Sequence, residues 1–308
     1  MTPHEIKTLA SKISHVENDA KDANTLLDTA WKSGNHAYRI GVTGPPGAGK
    51  STLVNCLAEK YSDAGNKTAV ISVDPSSPFT GGAILGDRIR MNALSGRDNV
   101  YIRSMATRGS LGGLSMKTHD VCDILDGEGF DVILIETVGV GQIELDIARA
   151  ADVTLTVLVP ESGDDIQAMK AGIMEITNIF VVNKADRHGA NAMILNLQSL
   201  TKLRTSSSDN LPEQPVLSSI ANKGTGIIEI FNILNNYLNN LKLGEQWETL
   251  RQNRLEEKVK QLISEHLSKS FWNKDLLKFL NDNIYLKKEL YESPFDLSEK
   301  LLSIHRKT

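Results

Sequence analysis

Apolar residues recur along the middle of the chain in alternating strand-like and helix-like segments. Nearly continuous runs of Val, Ile and Leu predict strands at 38–42, 68–73, 130–136, 153–159, 179–183 and 214–218. Residues 52–64 and 226–241 are predicted to be helices. Continuous apolar runs indicate strands buried on both faces, as in parallel sheets covered by helices. Residues 37–243 are therefore predicted to form an α/β domain with a mostly parallel central sheet flanked by helices.

The chain begins with a polar, helix-prone stretch, residues 1–36. Its apolar positions Ile6, Leu9, Ile13 and Val16 follow steps of three and four residues, which is the periodicity of an amphipathic helix. We expect this stretch to be an N-terminal helical extension of the central domain.

Residues 244–308 are rich in charge and are predicted to be a C-terminal helical extension. The apolar positions of a first helix share one face and are Leu255, Val259, Leu262, Ile263 and Leu267. A second helix is indicated by Leu276, Leu277, Leu280 and Ile284. Neither helix can bury its apolar stripe alone, so both must pack on the central domain, on each other or on another subunit.

Composition and charge narrow the class of protein. Of the 308 residues, 40% are hydrophobic and 23% are charged, which is ordinary for a soluble globular chain. The net charge of −4 gives no reason to expect a nucleic-acid partner. No apolar run approaches the roughly 18 to 20 residues of a membrane helix, and no secretory signal is visible. Cys56 and Cys122 form no close motif and are interpreted as buried free thiols, so a cytoplasmic location is expected, or an organellar matrix in a eukaryote.

The first chemical motif lies between the first predicted strand and the helix after it. Residues 44–51 fit the pattern G-x-x-x-x-G-K-[ST], in which glycines let backbone N–H groups turn towards phosphate oxygens. Lys50 is predicted to reach the β- and γ-phosphates, and the Ser51 hydroxyl to ligate Mg²⁺. The residues predicted to contact the nucleotide here are Gly44, Pro45, Pro46, Gly47, Ala48, Gly49, Lys50, Ser51 and Thr52.

Acidic residues are expected beside this phosphate loop. Glu136 follows the apolar run 132–135 and is predicted to hold Mg²⁺, while Gly139 can offer a backbone N–H to the γ-phosphate. Asp74 also ends a predicted strand and is a candidate for orienting the attacking water, and Asp87 is a candidate for the metal shell. The alternative interpretation of Asp74 and Asp87 is that both are solvated acidic residues in a loop. The predicted Mg²⁺ ligands are Ser51, Asp74, Asp87 and Glu136, and the predicted catalytic residues are Lys50, Asp74, Asp87 and Glu136.

A second motif, Asn183-Lys184-Ala185-Asp186, directly follows a predicted strand. In N-K-x-D, the Asp carboxylate accepts hydrogen bonds from the guanine N1–H and exocyclic amine, a pairing that adenine does not offer. The Lys stem packs over the ring, and the Asn ties this loop to the phosphate loop. The chain is therefore predicted to bind GTP and GDP rather than adenine nucleotides.

A weaker base-binding element follows the last predicted strand. Ser219, Ile220 and Ala221 are similar to the S-A-x element, in which a backbone N–H near Ala221 meets the guanine O6. Ile220 is an unusual occupant of the Ser position. Arginines that could reach phosphate, or could simply be solvated, are Arg88, Arg90, Arg103 and Arg108.

Longer segments resemble one family, the MeaB/ArgK G-protein chaperones. They are Val-Asp-Pro-Ser-Ser at 73–77, Thr-Gly-Gly-Ala-Ile-Leu-Gly-Asp-Arg at 80–88, Leu-Gly-Gly-Leu at 111–114, and the stretches 130–142 and 181–186. The resemblance covers residues 40–240 strongly and the helical extensions in outline. It implies a SIMIBI-type P-loop NTPase fold, a homodimer built partly through the C-terminal helices, and Mg²⁺-dependent GTP hydrolysis.

The same resemblance implies a partner and assigns roles. Members serve adenosylcobalamin-dependent acyl-CoA mutases, chiefly methylmalonyl-CoA mutase, by gating cofactor loading and protecting the mutase. Family metal and catalytic roles fall on Lys50, Ser51, Asp74, Asp87 and Glu136, and residues 160–170 match a third switch that contacts the mutase. The alternative interpretation of this segment is that it is the ordinary start of a helix.

The sequence disfavours three other functions. A nickel-insertion GTPase needs clustered soft or imidazole ligands, whereas the histidines and cysteines of this chain are scattered. A P-loop small-molecule kinase using ATP is disfavoured by the guanine motif. A non-catalytic scaffold is disfavoured by the intact Lys50, Ser51 and Glu136.

Overall fold

The structure is a computed structural model that describes residues 1–34, 37–74, 94, 96–106, 116–137, 143–162, 172–206, 214–286 and 293–305. The chain divides into two compact units, Met1–Trp247 and Glu248–Thr308. Within the described ranges, no helix is long and apolar enough to cross a membrane.

One seven-stranded sheet forms the centre of the first unit. Its order is β3-β2-β4-β1-β5-β6-β7, and every pairing is parallel. The strands are β1 Tyr38–Thr43, β2 Thr68–Asp74, β3 Val100–Ala106, β4 Val132–Thr137, β5 Val153–Leu158, β6 Ile179–Val182 and β7 Val216–Ser218. The predicted fold class is confirmed. The pattern missed β3, an edge strand in which Arg103 and Ser104 interrupt the apolar run.

Helices cover both faces of this sheet. Those of the first unit are α1 Pro3–Glu17, α2 Ala23–Ser33, α3 Lys50–Asp63, α4 Met116–Gly127, α5 Ile143–Ala150, α6 Ile173–Ile176, α7 Ala190–Ser206 and α8 Ile227–Leu243. The chain continues with α9 Glu245–Phe271, α10 Lys274–Asn281, a π-helical segment Asp282–Leu286, and α11 Pro294–His305. Helix α3 begins at Lys50, two residues before its predicted start, so the motif lysine opens the helix.

Two apolar clusters lie on opposite faces of the sheet. On one face, Leu53 and Leu57 of α3 pack with strand residues such as Leu134 and with Leu234 of α8. On the other face, residues of α1, α2 and α4 pack with alternate positions of the same strands, such as Ile133. The sheet is therefore buried on both faces, as its continuous apolar runs predict.

Helix α1 begins with a capping box, because Thr2 and Glu5 hydrogen-bond each other's backbone N–H, and Pro3 stands in its first turn. Leu9, Ile13 and Val16 are buried, whereas Ile6 remains 39% exposed. The predicted amphipathic helix is present, and its apolar face contributes to the cluster that covers the sheet.

Within the second unit, α10 and α11 contact each other, and Leu276 and Leu301 are buried. The Phe271 ring lies 5.0 Å from that of Trp272 and 4.8 Å from that of His305, centroid to centroid. The apolar stripe of α9, defined as Leu255, Val259, Leu262, Ile263 and Leu267, is 44–60% exposed.

Candidate nucleotide site

The predicted motifs meet at one edge of the sheet. Parallel strands present their carboxyl ends together, and ligands of open α/β sheets bind beyond those ends. The phosphate loop, residues 44–49, follows β1, and Glu136 is the penultimate residue of its neighbour β4. Asn183 follows β6, and Ser219 follows β7. The topology therefore brings together segments that are about 170 residues apart in the sequence.

The phosphate loop needs glycine at particular positions. Gly44, Gly47 and Gly49 have φ angles of 135°, 74° and 88°, which residues with a Cβ rarely adopt. A Cβ on Gly44 would lie 2.0 Å from the carbonyl oxygen of Val157, and one on Gly49 would lie 2.3 Å from Asn183 Nδ2. The glycines thus permit both the turn and the close approach of the neighbouring loop.

Helix α3 directs its N-terminus into this loop. Gly49 is the N-cap residue and supplies no side-chain hydrogen bond, which leaves the first N–H groups of the helix to an anion. Lys50 is 6% exposed, and its Nζ donates to the carbonyl oxygens of Gly44 and Pro45 at 2.8 and 2.9 Å. The loop therefore holds a buried ammonium group at the helix end.

Ser51 and Glu136 form a pair of oxygen donors beside that ammonium. Ser51 Oγ donates to Glu136 Oε1 at 2.5 Å, and Glu136 is 6% exposed. Hydroxyl and carboxylate oxygens suit a hard cation such as Mg²⁺, so the residues present fit the predicted metal. Asp74 is the last residue of β2; its side chain lies outside the described part of the chain, as do Asp87 and Gly139.

The side chain of Asn183 connects three loops. Its Nδ2 donates to the carbonyl oxygen of Ala48 at 2.8 Å, and its Oδ1 accepts from Ser219 Oγ at 3.0 Å and from Ala221 N at 3.1 Å. Asn183 is 3% exposed. A buried amide with donors and acceptors satisfied fixes the spacing of the loops it bridges.

Ser219 supplies the side-chain contact of this element, since its Oγ donates to Asn183 Oδ1, and Ile220 occupies the Ser position of the S-A-x pattern without a polar side chain. Ile220 bonds instead through its backbone, with its N–H donating to the carbonyl oxygen of Thr225 at 3.1 Å. Because the Ala221 N–H already donates to Asn183, a contact with guanine O6 would require this N–H to serve two acceptors.

Lys184 adopts a φ of 56°, which is rare for a residue with a Cβ and typical of functional turns. Its Nζ donates to the carbonyl oxygen of Gly47 at 2.8 Å, so the lysine stem bridges the guanine motif and the phosphate loop. A cleft of about 200 Å³ remains, lined by Gly49, Thr52, Asn183, Lys184, Asp186, Arg187, Ala221 and Asn222.

Asp186 makes an ion pair that the N-K-x-D motif does not predict. Lys223 Nζ donates to Asp186 Oδ2 at 2.9 Å, and this hydrogen bond lowers the pKa of the aspartate. The ion pair favours the charged form of the carboxylate, which is the form that accepts hydrogen bonds from guanine. Lys223 lies in the 3₁₀ turn Ala221–Lys223, two residues after the weak S-A-x match.

The structure gives a position for one of the four candidate arginines. The Arg103 guanidinium contacts Glu17 and Ser14 of α1, so it is engaged by the N-terminal extension. Arg88, Arg90 and Arg108 lie outside the described residues.

Comparison with known proteins decides the family. Residues 9–275 match the family model described as methylmalonyl-CoA mutase-associated GTPase MeaB. This chain belongs to the MeaB family. It is a GTPase, as the names of its relatives and the family description state, and membership of a GTPase family implies that it binds guanine nucleotides.

Several relatives cover most of this MeaB-family chain. It is 45% identical over 259 residues to a putative GTPase of Pyrococcus horikoshii, covering 84% of this chain and 82% of that one. It is 35% identical to the GTPase ArgK of Escherichia coli, with 87% and 82% covered. A solved structure described as LAO/AO transport system kinase has a TM-score of 0.71 and 26% identity, with 98% and 94% covered.

Proposed function

We propose that this MeaB-family GTPase hydrolyses Mg²⁺·GTP to GDP and phosphate and serves as a chaperone for an adenosylcobalamin-dependent acyl-CoA mutase. The hydrogen bonds of the Asn183 side chain, called here the Asn183 bridge, support GTP binding and hydrolysis most directly. The bridge holds the phosphate loop and the two guanine elements at fixed spacing through three hydrogen bonds. Phosphate and base recognition are thereby coupled in one site.

At the phosphate end, Lys50 would release its two carbonyl contacts to reach the β- and γ-phosphates, whose charge it complements. The N-terminal N–H groups of α3 would bind the same phosphates. Ser51, Glu136, Asp74 and Asp87 would hold Mg²⁺, which supplies charge neutralisation on the phosphate oxygens when bound.

Hydrolysis then needs a positioned water. The water oxygen bonds to the γ-phosphorus in line as the bond to the β–γ bridging oxygen breaks, GDP leaves with that electron pair, and a water proton passes to an oxygen of the released phosphate. Asp74, at the end of β2, is assigned to orient this water. Catalysis rests on positioning and on charge stabilisation by Lys50 and the helix end.

At the base end, Asp186 would accept from the guanine N1–H and exocyclic amine, and the Lys184 stem would cover the ring. Ser219, Ile220 and Ala221 would frame the O6 side. These roles agree with the cleft, which Asp186, Lys184 and Ala221 all line.

The partner assignment is supported by family membership. The family model is described as mutase-associated, and methylmalonyl-CoA mutase is therefore the first client to test. A relative named methylmalonic aciduria type A homolog of Mus musculus, mitochondrial, is 35% identical over 238 residues, which cover 76% of this chain and 57% of that protein. The apolar stripe of α9, whose residues are 44–60% exposed, supports a homodimer, because contiguous exposed apolar patches commonly mark protein–protein contacts.

Single-turnover GTP hydrolysis, measured with and without the methylmalonyl-CoA mutase of the same organism, tests this function. We expect slow hydrolysis alone and a faster rate with the mutase. A hydrolysis rate that the mutase does not change would contradict the chaperone role but would still support the GTPase activity. The same measurement with an isobutyryl-type mutase would show which of the two mutases is the client.

A further inference from the structure

Asp186 lines the cleft where the guanine edge is expected, and Lys223, one residue beyond the lining residue Asn222, forms an ion pair with it. Both side chains are partly exposed, at 60% and 42%, and Lys223 Nζ donates to one carboxylate oxygen, Oδ2. A carboxylate offers about four acceptor positions. Lys223, the guanine N1–H and the exocyclic amine can therefore share one Asp186 carboxylate.

The backbone around Lys223 is fixed. Its N–H donates to the carbonyl oxygen of Ile220 at 2.9 Å, and Gly224, with a φ of 71°, closes the turn. A Cβ on Gly226 would lie 2.2 Å from the carbonyl oxygen of Ser218, so this turn is packed tightly against the end of β7. The lysine side chain therefore projects from a rigid base.

We propose that Lys223 is a positioning residue for guanine: it remains bound to Asp186 and holds that carboxylate in the orientation that reads the base. The short turn 221–223 would then supply the partner of the carboxylate as well as the Ala221 N–H, which donates to Asn183 and would be shared with the guanine O6. This inference rests on the proposed role of Asp186 in guanine recognition.

The test is equilibrium binding of GDP and of IDP, which lacks the 2-amino group, to Lys223→Met and Lys223→Arg. Lys223→Met is expected to weaken GDP binding about three- to tenfold, the range of a partly exposed charge-assisted pair. Lys223→Arg keeps the donor and should bind GDP nearly as the wild type does. Lys202→Met, on the exposed side of α7, is the matched control.

The effect of Lys223→Met must depend on Asp186. We expect it to be smaller with IDP and absent in an Asp186→Asn background. Tighter GDP binding would show that Lys223 competes with guanine, and equal losses with GDP and IDP would show a general effect; either result overturns the proposal. Asp186→Asn alone, if it left the preference for guanine over xanthine nucleotides intact, would instead refute the role of Asp186.

A different observation concerns Ser72 in β2. Ser72 is 1% exposed, and its Oγ has no hydrogen-bond partner among the described residues. Buried hydroxyl groups are nearly always paired, because an unpaired one destabilises the fold. An orphan hydroxyl therefore needs an explanation.

The position of Ser72 supplies one. Its register partner on β4 is Glu136, and Val70, two residues earlier, packs in the cluster that contains α3. Because side chains alternate along a strand, Ser72 shares that face with Val70, beside the carboxylate that reaches Ser51 of α3. We infer that the Ser72 hydroxyl forms a hydrogen bond with a water of the Mg²⁺ hydration shell when the metal is bound, since Mg²⁺ usually keeps several waters.

Ser72→Ala separates this role from a packing role because two readouts move in opposite directions. In EDTA without nucleotide, removal of an unpaired hydroxyl should leave the unfolding temperature equal or higher. The Mg²⁺ concentration for half-maximal retention of fluorescent GDP should rise about three- to tenfold, while Ser72→Thr and the control Ser104→Ala remain near wild type. An unchanged Mg²⁺ requirement in Ser72→Ala would overturn the inference, and a Ser51→Ala protein with normal Mg²⁺ dependence would refute the metal site itself.

Discussion

The phosphate end and the guanine end of the site are held in place by different chemical groups. At the phosphate end, Lys50 contacts backbone carbonyls, and glycines with positive φ define the loop. At the guanine end, the side chains of Asn183 and Asp186 make the connections. The comparison implies that changes at the phosphate end remove activity, whereas changes at the guanine end alter affinity and selectivity.

The largest effect is expected for Lys50→Ala. Loss of the buried ammonium at the start of α3 should lower kcat/KM for GTP about 1,000-fold, or about 4 kcal/mol of transition-state stabilisation. Steady-state phosphate release measures it. Lys60→Ala, farther along α3, should retain wild-type kinetics, and a loss below tenfold in Lys50→Ala would contradict the role of the lysine.

Glu136→Gln is expected to come next. The amide keeps the shape of the buried side chain but removes the charge that suits Mg²⁺, so hydrolysis should fall about 100-fold. GDP binding in EDTA should stay near the wild-type value. A Mg²⁺ titration of single-turnover hydrolysis checks this, and a rate equal to wild type at every Mg²⁺ concentration would contradict it.

Asn183→Ala should have a smaller effect, on affinity and stability together. Three hydrogen bonds at a buried site are lost, which should cost about 2 kcal/mol in the free energy of unfolding and weaken GDP binding about tenfold. The control is Asn178→Ala, at the start of the same strand, where Asn178 bonds Thr154 N and the Tyr237 hydroxyl. It should lose stability in a denaturant titration without losing GDP affinity; equal GDP losses in both variants would contradict the bridge.

Thr43→Val should have the smallest effect. Thr43 directly precedes the phosphate loop, and its Oγ1 accepts from Thr137 Oγ1 at 3.1 Å. The valine leaves one buried hydroxyl without this acceptor, which should lower unfolding free energy by about 1 kcal/mol. Turnover should be unchanged, and a large loss of turnover would show that side chains, too, shape the phosphate end.

Local patterns were sufficient for the parts of this molecule that local chemistry determines. The buried strands, the phosphate loop and the N-K-x-D motif carry their signals in contiguous residues, and the structure places both motifs at strand ends. Strand β3 was missed because Arg103 and Ser104 break its apolar run, and its partners are remote in sequence. The roles of all the site residues remain predictions, and Asp87 and Gly139 also lie outside the described residues.

Contacts between distant segments explain the other omissions. The Lys223–Asp186 pair joins residues 37 positions apart, and no local rule selects Lys223 among the 34 Lys and Arg residues of the chain. Ser219 is among the predicted base-binding residues, but its hydrogen bond to Asn183 Oδ1 depends on the turn geometry and not on the motif spacing. Both details emerge only when β6 and β7 are paired.

Selectivity measured side by side tests the contrast between the two ends most directly. The measurement is kcat/KM for GTP and for XTP, in which a carbonyl replaces the 2-amino group, with wild type, Lys50→Ala and Asp186→Asn. We predict that Lys50→Ala loses activity on both nucleotides in equal proportion, whereas Asp186→Asn, whose amide can donate to that carbonyl, reverses the preference towards XTP. An Asp186→Asn protein that lost activity on GTP and XTP equally would contradict the assignment of base reading to this carboxylate.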